Sequence, residues 1–148
     1  SSCFYRYSLI DMSVLHQNID GKELELLTLK AFLRASIAAI PSGKQNSMAA
    51  YNPPEAMLAV VRSGGTPVSL ANAFSRPVRP SREKSLIQTS VESLDQYWGQ
   101  VTKVYGEEGV AARPVCLVTP ADLNALADQQ VDTVTELIDR VVDAVGNE

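Results

Sequence analysis

The stretch NAFSRPVRPSREK, Asn72 to Lys84, sets four basic side chains (Arg76, Arg79, Arg82 and Lys84) and two prolines against a single acid, Glu83. A guanidinium is a planar fork that meets two phosphate oxygens at once, and it keeps its charge at every cellular pH. Pro77 and Pro80 stiffen the loop and lower the entropy lost when it closes on a ligand. The chemistry offered is a grip on a phosphodiester chain, and contacts of this type carry no base information.

The charge around the loop is segregated. Residues 1–61 hold five basic and five acidic side chains, residues 62–84 five basic against one acidic, and residues 85–148 three basic against eleven acidic. The net charge of −4 therefore hides a +4 stripe beside a −8 remainder. Such a field holds a polyanion at the stripe while the rest of the surface repels non-specific nucleic acid. The plainer alternative is a solvated loop followed by a solvated helical tail.

Other chemistry-bearing residues point to structure. His16 is the single histidine, with no cysteine or carboxylate cluster at ligand spacing, and reads as a surface or capping residue. In "SGK", Ser42 to Lys44, the first glycine of a phosphate loop would fall on Ala38, and no Ser or Thr follows the lysine. Tyr97 and Trp98 sit at helical spacing with apolar residues and are expected in the core. Phe4, Tyr5 and Tyr7 are open to either packing or base stacking. Cys3 and Cys116 have no partners at metal-ligand spacing and are expected as reduced, buried thiols of a cytosolic protein. No nucleophile and base pair up, so neither an enzyme nor a cofactor or metal is expected.

The elements that must position these residues follow from periodicity. A chain of 148 residues with 45% apolar content can bury one core, and it holds no apolar run long enough to span a bilayer. It does not begin with Met or a leader and reads as a piece of something longer. "SCFYRYSLI" alternates and predicts a strand. Lys22 to Ile40 carries Leu26, Leu29, Leu33 and Ile37 on one helical stripe. Short strands are expected over Asn46 to Tyr51 and Met57 to Arg62, separated by the turn NPPE. Leu86 to Tyr105 is a second helix closed by Gly106. Val115 to Val118 reads as a brief strand, Thr119 before Pro120 as a helix start, and Thr133 with Glu136 as the capping box of a last helix.

The expected fold class is α+β: an incomplete ferredoxin-like, RNA-recognition-motif-like palm of βαββα order over residues 1–106, then an acidic, mainly helical tail over 107–148. Helices would cover one sheet face and leave the other free as an RNA platform. An absent N-terminal strand would leave one sheet edge unpaired.

Five segments carry a family resemblance: "FYRY", "SGKQNSMAAYNP", "LANAF", the basic stretch after it, and "LDQYWGQVTKVYG". In order and spacing, over residues 3–106, they resemble the C-terminal half of CasC, the backbone subunit of the type I-E CRISPR surveillance complex Cascade. The match weakens over 107–148. The resemblance implies a modified RNA-recognition-motif palm with an inserted finger and a thumb hairpin, this chain corresponding to the portion after the thumb. It implies copies stacked head to tail on a guide RNA in the cytoplasm, beside other Cascade subunits, so that the guide pairs with target DNA.

Residue by residue, the resemblance places a guide-backbone contact on Arg79. The next family lysine falls on Ser81, with Arg82 adjacent, and Arg76 falls on a basic family position. Lys44 and Gln45 match the family's "KQ". Pro77 and Pro80 depart from the pattern. Two other readings stay open: a ferredoxin-like interaction module whose basic loop docks an acidic protein, and a hydrolase or nuclease of the same broad fold.

Overall fold

A computed structural model of the chain describes residues 3–39 and 51–147. Its helices are α1 (Met12–Asn18), α2 (Lys22–Ala38), α3 (Leu86–Tyr105) and α4 (Val134–Gly146). The strands are β1 (Ala56–Leu58), β2 (Val61–Arg62), β3 (Val110–Ala112), β4 (Val115–Leu117) and β5 (Gln130–Val131). Short 3-10 turns cover Ala71–Phe74 and Ala127–Gln129. The strand expected over Asn46 to Tyr51 lies almost wholly outside the described residues.

The fold is α+β, with two small sheets. One has the order β1-β4-β5, with β4 antiparallel to β1 and parallel to β5. The other pairs β2 with β3. The single strand expected over Met57 to Arg62 is thus two, breaking at Ala59 and Val60 so that the chain passes from one sheet to the other.

Two apolar clusters hold the elements. Leu29 of α2, Val61, Cys116, Val131 and the α4 stripe Leu137, Ile138 and Val141 form one. Leu70, Trp98 of α3, Val115 and Leu126 form the other. Successive side chains of a strand point to opposite faces, and in β4 Val115 enters the second cluster while Cys116 enters the first. At β4 both sheet faces are therefore covered, which corrects the expectation of a free face for RNA. Residues 107–148, expected as a mainly helical tail, supply three strands and α4, and they share both clusters with the preceding residues.

The opening strand is a second correction. Residues 3–10 join no ladder. They are pinned by side chains: Arg6 donates to the carbonyls of Ser36 and Ala39 at the C-terminal end of α2, where cations are favoured. The Tyr5 hydroxyl accepts from the Leu70 N–H at 3.2 Å. The βαββα order is thus without its first strand in this segment. Cys3 is exposed rather than buried, while Cys116 is buried, and both are free thiols.

The helix ends obey local chemistry. Asp11 caps α1, accepting from the Ser13 and Val14 amides. The Ser13 hydroxyl first, then those amides, hold its carboxyl below the usual aspartate range. Gly106 ends α3 at φ 80°, its N–H donating to the Thr102 carbonyl. Gly109, at φ 77°, lies so close to the Gly64 carbonyl that a Cβ would sit 3.2 Å from its oxygen.

Ser85 and Gln88 form a complete capping box on α3: the Ser85 hydroxyl accepts from the Gln88 amide and the Gln88 side chain accepts from the Ser85 amide. Replacing Ser85 by alanine is expected to cost about 1 kcal/mol. Urea unfolding followed by helical circular dichroism measures it, and an unchanged midpoint would remove the box from the account.

Candidate nucleic-acid interface

The arginine loop is fixed at both ends by contacts that leave its guanidinium groups out. At the leading end Leu70 is buried beside Trp98, and the turn Ala71–Phe74 closes through Ser75 N–H to the Asn72 carbonyl at 3.1 Å. Phe74 packs against Tyr5 with ring centroids 5.5 Å apart, a tilted aromatic pair. Tyr5 is therefore a structural residue, engaged through both ring and hydroxyl. Phe4, by contrast, is 88% exposed.

At the trailing end the Ser81 hydroxyl accepts from the amides of Glu83 and Lys84, and the Ser81 amide donates to the Lys84 carbonyl. Where the family resemblance places a lysine, Ser81 thus ties its own turn. Lys84 Nζ bridges Glu92 Oε1 at 2.7 Å and Asp122 Oδ2 at 3.0 Å. The hydrogen bond to Glu92, then that to Asp122, raises the Lys84 pKa above its ordinary value. Gln88 adds a bond from its amide nitrogen to the Pro120 carbonyl. These contacts join the loop end, the first turns of α3 and residues 120–122.

The basic stripe divides accordingly. Lys84 is neutralised by two carboxylates. Arg62 donates to the carbonyls of Gly64 and Glu108 and so ties the segment after β2 to the segment before β3. Arg76, Arg79 and Arg82 are exposed, and no carboxylate lies within salt-bridge distance of them among the described residues. Three guanidinium groups without a salt bridge among the described residues, within seven positions of a chain with excess acid, form a positively charged stretch. Lys44 and Gln45 fall outside the described residues.

Arg76 also faces a groove of about 270 Å³ between the Ala71–Phe74 turn and α3. Its helical wall includes Gln96, Tyr97 and Gln100. Tyr97 thus shares itself between the core and this groove, whereas Trp98 is core as expected. Sequence reasoning missed the groove; its one signal is the run Ser93, Gln96, Tyr97 and Gln100, whose spacing of three and four places them on one helical face without a charge.

His16 sits on the surface, as expected, with Nδ1 2.7 Å from the carboxylate of the buried Glu25. Among the described residues no cluster of three or more His, Cys, Asp or Glu can hold a metal ion, and no helix is long and apolar enough to cross a membrane.

Comparison with known proteins gives a consistent result. The family model described as CT1975-like protein matches residues 1–144. A chain of a solved "CRISPR RNA-guided surveillance complex" is similar at 29% identity and a TM-score of 0.79, over 92% of this chain and 50% of that one. A chain of a "CRISPR RNA-guided surveillance complex, pre-nicking" is similar at 29% identity and TM-score 0.79, over 91% of this chain and 35% of that one. The chain thus spans half or less of the length of these structures' chains. No curated protein matches it.

Proposed function

Because the chain belongs to the CT1975-like protein family, we propose that it acts as a guide-RNA-binding backbone subunit of a CRISPR surveillance complex of the Cascade type. In this reading it is a binding protein of the cytoplasm, with no catalytic step of its own. It assembles head to tail with copies of itself and with other Cascade subunits. The finer assignment is to the type I-E system, with the α+β body serving as part of an RNA-recognition-motif-like palm. Target DNA is engaged through the guide.

The observation that carries the reading is the anchored loop with three guanidinium groups that make no salt bridge among the described residues. A subunit that must hold any guide needs contacts blind to sequence, and phosphate contacts are. Base pairing then supplies specificity, a division of labour general to guided effectors. The similarity to chains of RNA-guided complexes supports the same reading.

The test is salt-dependent retention of a single-stranded RNA by the chain. Each phosphate neutralised on a single strand contributes a slope of about −0.7 in log affinity against log salt. Arg79→Ala with Arg82→Ala is expected to flatten the slope by about 1.4 and to weaken binding at low salt by about tenfold or more. Both sites are exposed, so the unfolding midpoint should not move. An unchanged slope contradicts the proposal. Salt-dependent binding to an acidic protein but not to RNA favours the interaction-module reading.

A further inference from the structure

The groove beside Arg76 has a composition that phosphate binding does not call for. Asn72 and Ser75 line it from the loop, and Gln96 and Gln100 from α3, with Tyr97 between them. Apart from Arg76 the groove is uncharged, although 20% of the chain's residues are charged. A surface built only for phosphates gains from added cations, and one built only for solubility uses mixed charges.

Carboxamides and hydroxyls offer donors and acceptors together, which suits a ligand group that is itself both. The ribose 2′-hydroxyl is such a group, and it is what separates RNA from DNA at a protein surface. At about 270 Å³ the space is open and far smaller than an oligonucleotide, so it admits a sugar and its neighbours rather than a strand.

We infer that this groove is a ribose-recognition subsite: Arg76 holds a phosphate at its mouth while the carboxamides of Asn72, Gln96 and Gln100 bond the 2′-hydroxyl edge of the adjoining nucleotide. The inference rests on the RNA-binding reading and deepens it. The arginines supply affinity without discrimination, and the amide wall adds discrimination without reading sequence. Tyr97 lines the groove while also packing against the second cluster.

The test compares oligouridine with oligodeoxyuridine of equal length, titrated into the 148-residue chain at low salt and followed by the side-chain NH2 resonances of Asn72, Gln96 and Gln100. Those signals are expected to move with the ribo-oligonucleotide, which should bind about fivefold tighter, the worth of one hydrogen bond. Gln96→Ala with Gln100→Ala should bring the two affinities together, leaving DNA affinity and salt slope unchanged. Both glutamines are exposed, so the variant should fold as the parent does.

Equal binding of the two oligonucleotides by the parent chain overturns the ribose subsite alone and leaves the phosphate grip standing. The same holds if the preference survives in the double variant. Failure of both oligonucleotides to bind overturns the RNA reading and this inference together.

Discussion

Asp95→Ala is expected to lower the unfolding free energy by about 3 kcal/mol, although the Asp95 side chain is not among those proposed to touch RNA. The side chain is 1% exposed. Its carboxylate accepts from the amides of Asn124 at 2.9 Å, Ala125 at 3.2 Å and Leu126 at 2.8 Å. These three amides belong to a segment without helix or strand, so no ladder satisfies them once the carboxylate is gone. A hydrogen bond to a charged group contributes about 1.5–3 kcal/mol, and relaxation of the exposed Asn124 end recovers part of the total. Leu126, 0% exposed and packed on Trp98, would be carried out of the core with the segment. Urea denaturation measures the loss, and a change under about 1 kcal/mol would contradict the role given to Asp95.

Trp98→Ala is expected to cost a similar amount, about 3–5 kcal/mol, by opening a cavity among Leu70, Val115 and Leu126. Trp98→Phe is expected to behave differently. The indole is 3% exposed, and its Nε1–H has no partner among the described residues. A buried donor without an acceptor costs about 1–3 kcal/mol. Phenylalanine removes that donor while keeping most of the aromatic contact, so the two terms offset and the net change should stay within about 1.5 kcal/mol. A phenylalanine variant as unstable as the alanine variant would show that the N–H is satisfied in solution.

The contrast between these two sites and the loop explains what the sequence could disclose. Helices α2, α3 and α4 were legible because each combines an apolar stripe of period 3.6 with a readable end: Pro41 after α2, Ser85 and Gly106 around α3, Thr133 before α4. The α1 helix went unseen, although Asp11 ahead of Met12 is a capping signal that would have found it. The helix expected from Thr119 and Pro120 does not form. There the amides of residues 124–126 bond a carboxylate some thirty positions earlier, and that tertiary contact overrides the local start signal.

Residues 3–10 fail as a strand for a related reason. Alternation records that a segment fits a sheet, but a strand also needs a neighbour, and Arg6 and Tyr5 bond helix and loop backbone instead. The two-residue strand β5 carries too little pattern to be read at all, and β2 is legible only as the end of the longer strand expected over Met57 to Arg62. At the candidate site, the cluster of basic residues was plain in the sequence, but the division within it was not. Arg62 and Lys84 carry the same charge as their neighbours, and only the fold reveals that backbone carbonyls and carboxylates occupy them.

The central claim is that Arg76, Arg79 and Arg82 clasp the backbone of a guide RNA. Photocrosslinking within an assembled surveillance particle carrying this chain, read out by peptide mass spectrometry, tests it most directly. The account predicts nucleotide adducts concentrated on the segment from Asn72 to Arg82, lost when the three arginines are replaced. Adducts confined to other surfaces, with this loop unmodified in a particle that still holds its guide, would contradict it.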